Sequence, residues 1–407
     1  MLKKISVTDV VLGMYIHEFC GSWMDHPFWK ANFELQTLAD LRSLQNSAVT
    51  EVWIDTVKGL DLPIDAVCKG FAEIAEVAET VLQEALIEPA HTAQMVTMAD
   101  ELKRALDICE RSKQAVMTMF SEVRMGQAIE MHGAMQIVEE MNQSILRHPS
   151  ALLSLVRLKN ADEYTYMHSV AVCALMIALA RQLQLTDEQV QKAGVAGLMH
   201  DVGKMMIDDS ILNKPGRLTD EEFAKVRLHP VYGAKLLLKG DSAIDVHVYD
   251  VFLHHHENYD GTGYPKKIIG RQISLLSRMA AICDVYDAIT SDRPYKKGWS
   301  PAESLQRMAQ WQGHFDLYIF QAFVRMMGIY PVGSLVRLSS GRLAVVTEKN
   351  EELLLKPKIK VFFSSKSQMP IEQEMIDLAQ AGCTESIIAR EPIEDWGFCN
   401  LDTLWLD

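Results

Sequence analysis

The sequence predicts a mainly α protein: a helical bundle that carries the chemistry, a small β-containing module before it, and a short β appendage after it. Two observations predict this arrangement. Between residues 66 and 328 apolar residues recur with helical spacing, whereas both ends of the chain alternate short apolar runs with turn residues. A chain of 407 residues is also longer than one ordinary domain, so several folded units are expected.

The N-terminal region, residues 1–64, is predicted to be a small β-containing module. Its apolar runs, ISVTDVVLGMYIHEF and then VTEVWI, are short and are separated by Gly13, Gly21 and Pro27, which favour turns. Residues 65–148 change to helical periodicity, and we expect them to connect the module to the catalytic part. This connector could also pair two chains into a homodimer.

The catalytic domain is predicted to span residues 149–328 and to be helical. Its most apolar segment, VAVCALMIALA at 170–180, is too short to span a bilayer and is predicted to be a buried helix. Residues 329–407 return to strand patterns, in which SLVRLSS and LAVVTE flank a turn at Gly341. Such a pattern is typical of a β-hairpin.

Charge and cysteine usage restrict the class of protein. The net charge of −14 argues against a nucleic-acid polymer as partner, because such partners need a broad basic surface. An anionic substrate must then be held by metal ions or by a few local cations. The seven dispersed cysteines form no CxxC pair, and the N-terminus lacks a secretory signal. We therefore expect a cytoplasmic protein without a transmembrane segment.

Histidines and carboxylates recur through the helical region at intervals of roughly 26 to 32 residues, which fits one ligand set per helix around a bundle core. Neutral imidazole is a common metal ligand, and carboxylates often complete such sites. The series consists of His168, His200, Asp201, His229, His255, His256 and Asp284.

The adjacent pair His200 and Asp201 favours a dinuclear site. Consecutive residues on a helix point about 100° apart, so both serve one ion only near a helix end, or if Asp201 bridges to a second ion. Two ions roughly 3.5–4 Å apart could hold a hydroxide between them, and that hydroxide could attack a phosphodiester in line. The sequence therefore predicts a two-metal hydrolase.

Two motifs carry a family resemblance. HDVGK at 200–204 together with HHENYDGTGYP at 255–265 resembles the HD-GYP family of cyclic-dinucleotide phosphodiesterases, a branch of the HD hydrolases with an HD-type helical bundle. The resemblance extends from about residue 150 to 325 and includes His229 before a proline and the segment CDVYDAITSDRPYK. The first 62 residues also resemble a small module often found ahead of this domain.

The resemblance implies a ligand set for two divalent metal ions. The thiolate-free donors suit Fe or Mn, although Zn and Ni also accept imidazole. In this family pattern Asp201 bridges the two ions. The residues implied for the first ion are His168, His200, Asp201 and Asp284, and those for the second are Asp201, His229, His255 and His256.

The resemblance also implies residues that act on the substrate. Lys204 corresponds to a lysine near the scissile phosphate, so that Asp201 and Lys204 are the expected catalytic residues. The turn containing Gly263 and Tyr264 is expected to shape the rim of the substrate pocket. Three further residues match positions that recognise guanine or phosphate: Asp287, Arg293 and Lys296.

One position departs from part of the family. Members with three metals carry a glutamate four residues before the first histidine, where this chain has Tyr164, with Glu163 one residue away. Two metals are therefore expected. By family analogy this favours cleavage of the cyclic dinucleotide mainly to the linear form, with onward cleavage to GMP slow or absent.

The expected function is hydrolysis of cyclic di-GMP to pGpG, in a signalling setting that implies partners such as diguanylate cyclases. One alternative substrate is another 3′,5′-linked cyclic dinucleotide, such as 3′3′-cGAMP. A second alternative is a non-catalytic receptor for cyclic dinucleotides, although every dinuclear ligand is present. A nucleotide phosphohydrolase of the wider HD group would explain the HD pair but not the GYP segment.

Overall fold

The structure is a computed structural model. It describes residues 2–20, 33–35, 37–45, 47, 49–56, 58–59, 69–70, 96–129, 131–157, 164–212, 214, 216, 218–238, 245–291, 298–350, 353–398 and 401–406.

The N-terminal module is an antiparallel sheet of five strands with one helix. Ile5 lies opposite Val52 and Ile16 opposite Ile54, and all four side chains are buried in one apolar cluster. The strands, in the order β3-β2-β4-β1-β5 across the sheet, and the helix are β1 (Leu2–Ser6), β2 (Tyr15–Cys20), β3 (Phe33–Glu34), α1 (Leu38–Gln45), β4 (Glu51–Asp55) and β5 (Lys69–Gly70).

Strand β5 falls in a stretch where the sequence predicts helix. Lys69 and Gly70 instead pair with Lys4 and Lys3 at the edge of the sheet. Two residues are too few for helical periodicity to detect, and pairing with an existing edge strand satisfies their backbone groups. The rest of that predicted helix, residues 71–88, lies outside the described residues.

Among the described residues, the helical part of the chain begins at residue 98. Its longer helices are α2 (Met98–Arg124), α3 (Met131–Arg147), α5 (Tyr164–Gln182), α6 (Asp187–Met199), α9 (His229–Leu237), α10 (Val246–His254), α11 (Leu275–Thr290), α12 (Pro301–Gln310) and α13 (Leu317–Met327). Three shorter helices are α4 (Pro149–Leu155), α7 (Asp209–Leu212) and α8 (Asp220–Val226).

Helix α5 is the centre of the bundle. Every residue from 170 to 180 is buried, as expected for a segment that is apolar on all sides. It packs against α2, α3, α6 and α11. Among the described residues, no helix combines the length and the apolar character needed to cross a membrane.

Local sequence signals set the helix ends that later carry the site. Thr186 and Gln189 form a capping box at the start of α6, and Asp245 accepts hydrogen bonds from two backbone amides at the start of α10. Because α6 ends at Met199 and α10 at His254, the histidines that follow lie just past the helix ends.

The C-terminal region is a second antiparallel sheet, followed by a short helix. Its β6–β7 hairpin turns at Gly341, whose φ of 86° lies in the region that glycine tolerates best. In the sheet order β10-β6-β7-β8-β9, the elements are β6 (Leu335–Leu338), β7 (Arg342–Glu348), β8 (Lys358–Ser364), β9 (Met369–Asp377) and β10 (Ile387–Arg390), with α14 (Thr403–Leu406) after them. The predicted fold class is confirmed.

Candidate metal centre

Helix ends and two buried helices bring the predicted ligands together. His200 and Asp201 follow the end of α6, and His255 and His256 follow the end of α10. His229 is the first residue of α9. The other two ligand candidates project from the helices α5 and α11, namely His168 and Asp284. All seven side chains are buried or nearly so.

The first ligand group consists of His168, His200 and Asp284, each of which offers one donor atom within 4.8 Å of the others. The Nε2 atom of His168 lies 3.0 Å from Oδ1 of Asp284. Asp201 adjoins this group, because its Oδ2 is 3.4 Å from the Nε2 atoms of both His168 and His200.

The second ligand group consists of Asp201, His229, His255 and His256. The Nε2 atom of His229 lies 3.1 Å from the Nε2 atoms of both His255 and His256. Oδ1 of Asp201 is 3.2 Å from the same atom of His229. Asp201 therefore presents Oδ2 to the first group and Oδ1 to the second.

Backbone carbonyls orient three of the imidazoles. Nδ1 of His200 lies 2.8 Å from the carbonyl of Gly197, and Nδ1 of His229 lies 2.8 Å from that of Val226. His255 makes the same kind of contact with a carbonyl of α10. A ring that donates through Nδ1 keeps a lone pair on Nε2. These Nε2 lone pairs all point toward the centre of the cluster.

The donor set fits metal ions. Nε2 of His200 and Oδ1 of Asp201 are buried and have no hydrogen-bond partner among the described residues. The lone pairs of His229 and His255 also face each other at 3.1 Å. Buried acceptors without a donor are costly unless a positive charge lies between them. Imidazole nitrogens with carboxylate oxygens are donors that transition-metal ions accept.

Burial keeps the imidazoles of the second group neutral. It lowers the pKa of His255 to about 3, with help from the neighbouring His200 and His229. Burial also lowers the pKa of His229 and, more strongly, that of His256. A neutral imidazole is the form that binds a metal ion.

The carboxylates are held in the ionised form. Burial alone would raise the pKa of Asp201, but Lys204 and His200 outweigh it and leave that pKa well below its ordinary value. The pKa of Asp284 is lowered in the same way by His168 and His200. His200 shows the opposite shift, since both carboxylates raise its pKa against the effect of burial. A bound cation would stabilise the buried negative charges of Asp201 and Asp284.

The glycine of HDVGK allows the close approach on which the second group depends. A Cβ atom on Gly203 would lie 2.0 Å from the carbonyl oxygen of His229 and 2.5 Å from the amide nitrogen of Gly233. The turn after Asp201 therefore packs directly on the start of α9. Within this turn, Nζ of Lys204 lies 2.5 Å from Oδ2 of Asp201.

The GYP turn lies under His256. The ring of Tyr264 is stacked on the His256 ring, with centroids 4.8 Å apart and planes 24° apart. A Cβ atom on Gly263 would lie 2.3 Å from the amide nitrogen of Asn258, so only glycine fits there. Tyr264 is buried, and the peptide bond to Pro265 is cis. Contact of Gly263 and Tyr264 with the substrate stays a prediction.

Of the three remaining candidates for substrate contact, the structure describes only Asp287. Asp287 is buried, and its Oδ2 lies 2.6 Å from Nδ1 of His168, so it orients a ligand candidate. Its contact with the substrate stays a prediction. Arg293 and Lys296 lie outside the described residues, as does Glu163.

Sequence reasoning missed two residues beside the site. Glu257 is buried and accepts hydrogen bonds from the amides of Lys266 and Lys267, at 2.6 and 3.0 Å, which ties the GYP turn to the end of α10. Its place directly after the paired histidines was an available signal. Arg227 packs on Tyr264, but nothing in its sequence neighbourhood signals this contact.

Comparison with known proteins establishes the family. The profile of the HD domain matches residues 141–319, and that of a domain of unknown function, DUF3391, matches residues 2–134. A cyclic di-GMP phosphodiesterase of Pseudomonas aeruginosa is 57% identical over 406 residues, covering 100% of this chain and 96% of that protein. The chain belongs to the HD-GYP family of phosphodiesterases.

Two other relatives match a smaller part of the chain. A cyclic di-GMP phosphodiesterase of Vibrio cholerae is 32% identical over 280 residues, or 63% of this chain and 57% of that protein. A 3′3′-cGAMP-specific phosphodiesterase of the same organism is 35% identical over 153 residues, or 37% of this chain and 29% of that protein. Both ligand groups lie within the matched HD domain, a family of metal-dependent hydrolases.

Proposed function

We propose that this HD-GYP protein hydrolyses cyclic di-GMP to linear pGpG at a dinuclear metal centre. One observation carries the proposal: the two carboxylate oxygens of Asp201 face two separate ligand groups, Oδ2 toward His168 and Oδ1 toward His229. The identity of 57% over the whole chain with a protein named as a cyclic di-GMP phosphodiesterase supports the choice of substrate.

The two ligand groups would each hold one divalent ion, with Asp201 shared between them. Nitrogen and oxygen donors without thiolate favour Fe or Mn. Such a pair of ions supplies an activated water and neutralises charge on the phosphodiester. The residues for one ion are His168, His200, Asp201 and Asp284, and those for the other are Asp201, His229, His255 and His256.

The side chains of this chain have distinct parts in the reaction. Water adds to phosphorus while the bond from phosphorus to the 3′-oxygen breaks, which leaves a 5′-phosphate and a 3′-hydroxyl. The ammonium of Lys204, held beside Asp201, would stabilise the charge on the phosphate and on the departing oxygen. Asp287 would hold the ring of His168, and Tyr264 that of His256.

The product is proposed to be pGpG because this chain has Tyr164 where members with three metals carry a glutamate, so only two ions are expected. A single round of hydrolysis opens the ring, and the linear product would then leave. GMP formation would be slow or absent.

The test is purification without oxygen, followed by elemental analysis and identification of the product by chromatography. We expect two ions of Fe or Mn per chain and conversion of cyclic di-GMP to pGpG. Two bound ions with no turnover of any cyclic dinucleotide would instead favour a receptor. Because relatives named as 3′3′-cGAMP-specific match part of the chain, cyclic di-GMP and 3′3′-cGAMP should compete in one assay. Faster cleavage of 3′3′-cGAMP would overturn the proposed substrate.

We also propose that the protein is cytoplasmic and forms a homodimer through the helical connector. Its reaction would remove the cyclic di-GMP that diguanylate cyclases produce. If the domains end at residues 64, 148 and 328, as proposed, limited proteolysis should yield resistant fragments whose ends lie near those residues. Sedimentation of the full chain would test the dimer.

A further inference from the structure

Arg227 is held by aromatic rings next to the metal centre. It follows the end of α8 and precedes His229 by two residues. Its guanidinium carbon lies 4.3 Å from the centre of the Tyr264 ring and 5.9 Å from that of Phe223. Since Tyr264 is itself stacked on His256, the guanidinium is one ring away from a predicted metal ligand.

The guanidinium of Arg227 makes no hydrogen bond and no ion pair within the part of the chain that the structure describes. Two other arginines of the described chain differ: Arg278 is paired with Asp316, and Arg181 with Asp187. Stacking covers the flat face of a guanidinium but leaves the N–H groups in its plane available for an anion.

Lys204, which lies 2.5 Å from Asp201, is the cation proposed to act on the phosphodiester that is cleaved. The predicted metal ions and Lys204 would act on this same phosphodiester, so a substrate with a second negative charge needs a further cation close by. The half-buried Arg227, stacked on Tyr264, is such a cation.

We propose that Arg227 binds the second phosphodiester of the cyclic dinucleotide, the one that is not being cleaved. This inference rests on the proposed function. A cyclic dinucleotide carries two phosphodiesters in one ring, so the second is held at a fixed offset when the first lies at the metal centre. A planar guanidinium suits bidentate binding of two phosphate oxygens. Arg227 then selects cyclic dinucleotides over single phosphodiesters.

The test compares two substrates. Cyclic di-GMP carries the second phosphodiester, whereas bis-para-nitrophenyl phosphate has only one. With Arg227→Met we expect the KM for cyclic di-GMP to rise on the order of tenfold, as for loss of a charged hydrogen bond, with little change in kcat. The kcat/KM for bis-para-nitrophenyl phosphate and the metal content should stay at the wild-type values.

Two further variants complete the design. Arg227→Lys keeps the charge and should recover most of the affinity for cyclic di-GMP. Lys225→Met removes an exposed cation from α8, the helix that ends just before Arg227, and should change neither substrate's kinetics. Equilibrium dialysis of cyclic di-GMP with each variant measures binding independently of turnover.

Several outcomes would overturn the inference. An unchanged KM and Kd for cyclic di-GMP in Arg227→Met would overturn it while the proposed function stands. Equal losses on both substrates would show that Arg227 acts through Tyr264 on the metal centre, and equal losses in the Met and Lys variants would exclude binding by charge. A wild-type protein that neither binds nor cleaves cyclic di-GMP would overturn the proposed function, and the inference with it.

Discussion

Nδ1 of His168 and Oδ2 of Asp287 lie 2.6 Å apart in a buried contact between α5 and α11. On the other side of the same ring, Nε2 of His168 lies 3.0 Å from Oδ1 of Asp284. Asp284 and Asp287 are three residues apart and therefore lie on one face of α11. One helix thus holds both nitrogens of this imidazole.

Replacing the orienting carboxylate should weaken metal binding without removing a ligand. In Asp287→Asn the side chain keeps its size but loses the charge that fixes the His168 ring. We expect metal affinity to fall by roughly 10- to 100-fold, as is usual for such partners of ligating histidines. Titration with Mn(II) or Fe(II), read by elemental analysis, measures this.

A matched control for that change is Glu101→Gln. Glu101 is also a buried carboxylate, paired with Arg147 at 2.7 Å, but it lies between α2 and α3. Its substitution should lower the thermal stability and leave metal affinity unchanged. Equal losses of metal affinity in both variants would reject a specific role for Asp287.

Substitutions of Asp201 and Lys204 should affect metal binding and catalysis differently. Asp201→Ala removes the carboxylate that faces both ligand groups, so turnover should be abolished and bound metal should fall well below that of the wild type. Lys204→Ala removes only a cation beside it, so metal content should stay near normal while kcat falls. Metal analysis and steady-state kinetics on the two variants test this. Activity retained in Asp201→Ala would contradict the bridging role.

Gly203 should tolerate no side chain. A Cβ atom there would lie 2.0 Å from the His229 carbonyl oxygen, which is backbone and has no room to move away without displacing α9. Gly203→Ala should therefore lower the Tm and the metal content together. The control is Gly133→Ala in α3, where no atom lies within 4 Å of the added Cβ, and helix propensity favours alanine by about 0.5–1 kcal/mol. A Gly203→Ala protein as stable as the control would refute the close approach.

His314 should make stability depend on pH. Burial lowers its pKa from 6.5 to about 4. Between these values the unfolded chain takes up a proton that the folded protein does not, so this residue removes stability as the pH falls from 6.5 to 4 and has no such effect above 6.5. His314→Phe should lose less stability over that range, by an amount on the order of 3 kcal/mol.

Thermal unfolding of the wild type and of His314→Phe at several pH values between 7 and 4 would measure the difference. The metal-site histidines are common to both proteins, so their contributions cancel in the comparison. Parallel curves of Tm against pH would show that His314 does not titrate in this way.

Local patterns in the sequence determined the fold class and the seven metal-ligand candidates. Helical periodicity marks the bundle because an amphipathic or wholly apolar helix must be buried to be stable. The pairs His200–Asp201 and His255–His256 belong to short motifs, so their spacing is visible along the chain. The buried helix over 170–180 and the hairpin at Gly341 were likewise predictable, because each depends on residues close in sequence.

Contacts between distant residues were decided only by the tertiary structure. The role of Asp287 depends on α11 packing against α5, the role of Gly203 on the position of α9, and the stack of Arg227 on Tyr264 joins two separate loops. The two-residue strand β5 forms because it meets the edge of β1, not because of its own residues. The spacing of side chains along one helix or strand follows from the sequence of that element. Which residue a side chain meets across a packing interface depends on the fold of the whole chain. The sequence therefore predicts the candidate metal ligands, and the tertiary structure shows which side chains contact those candidates.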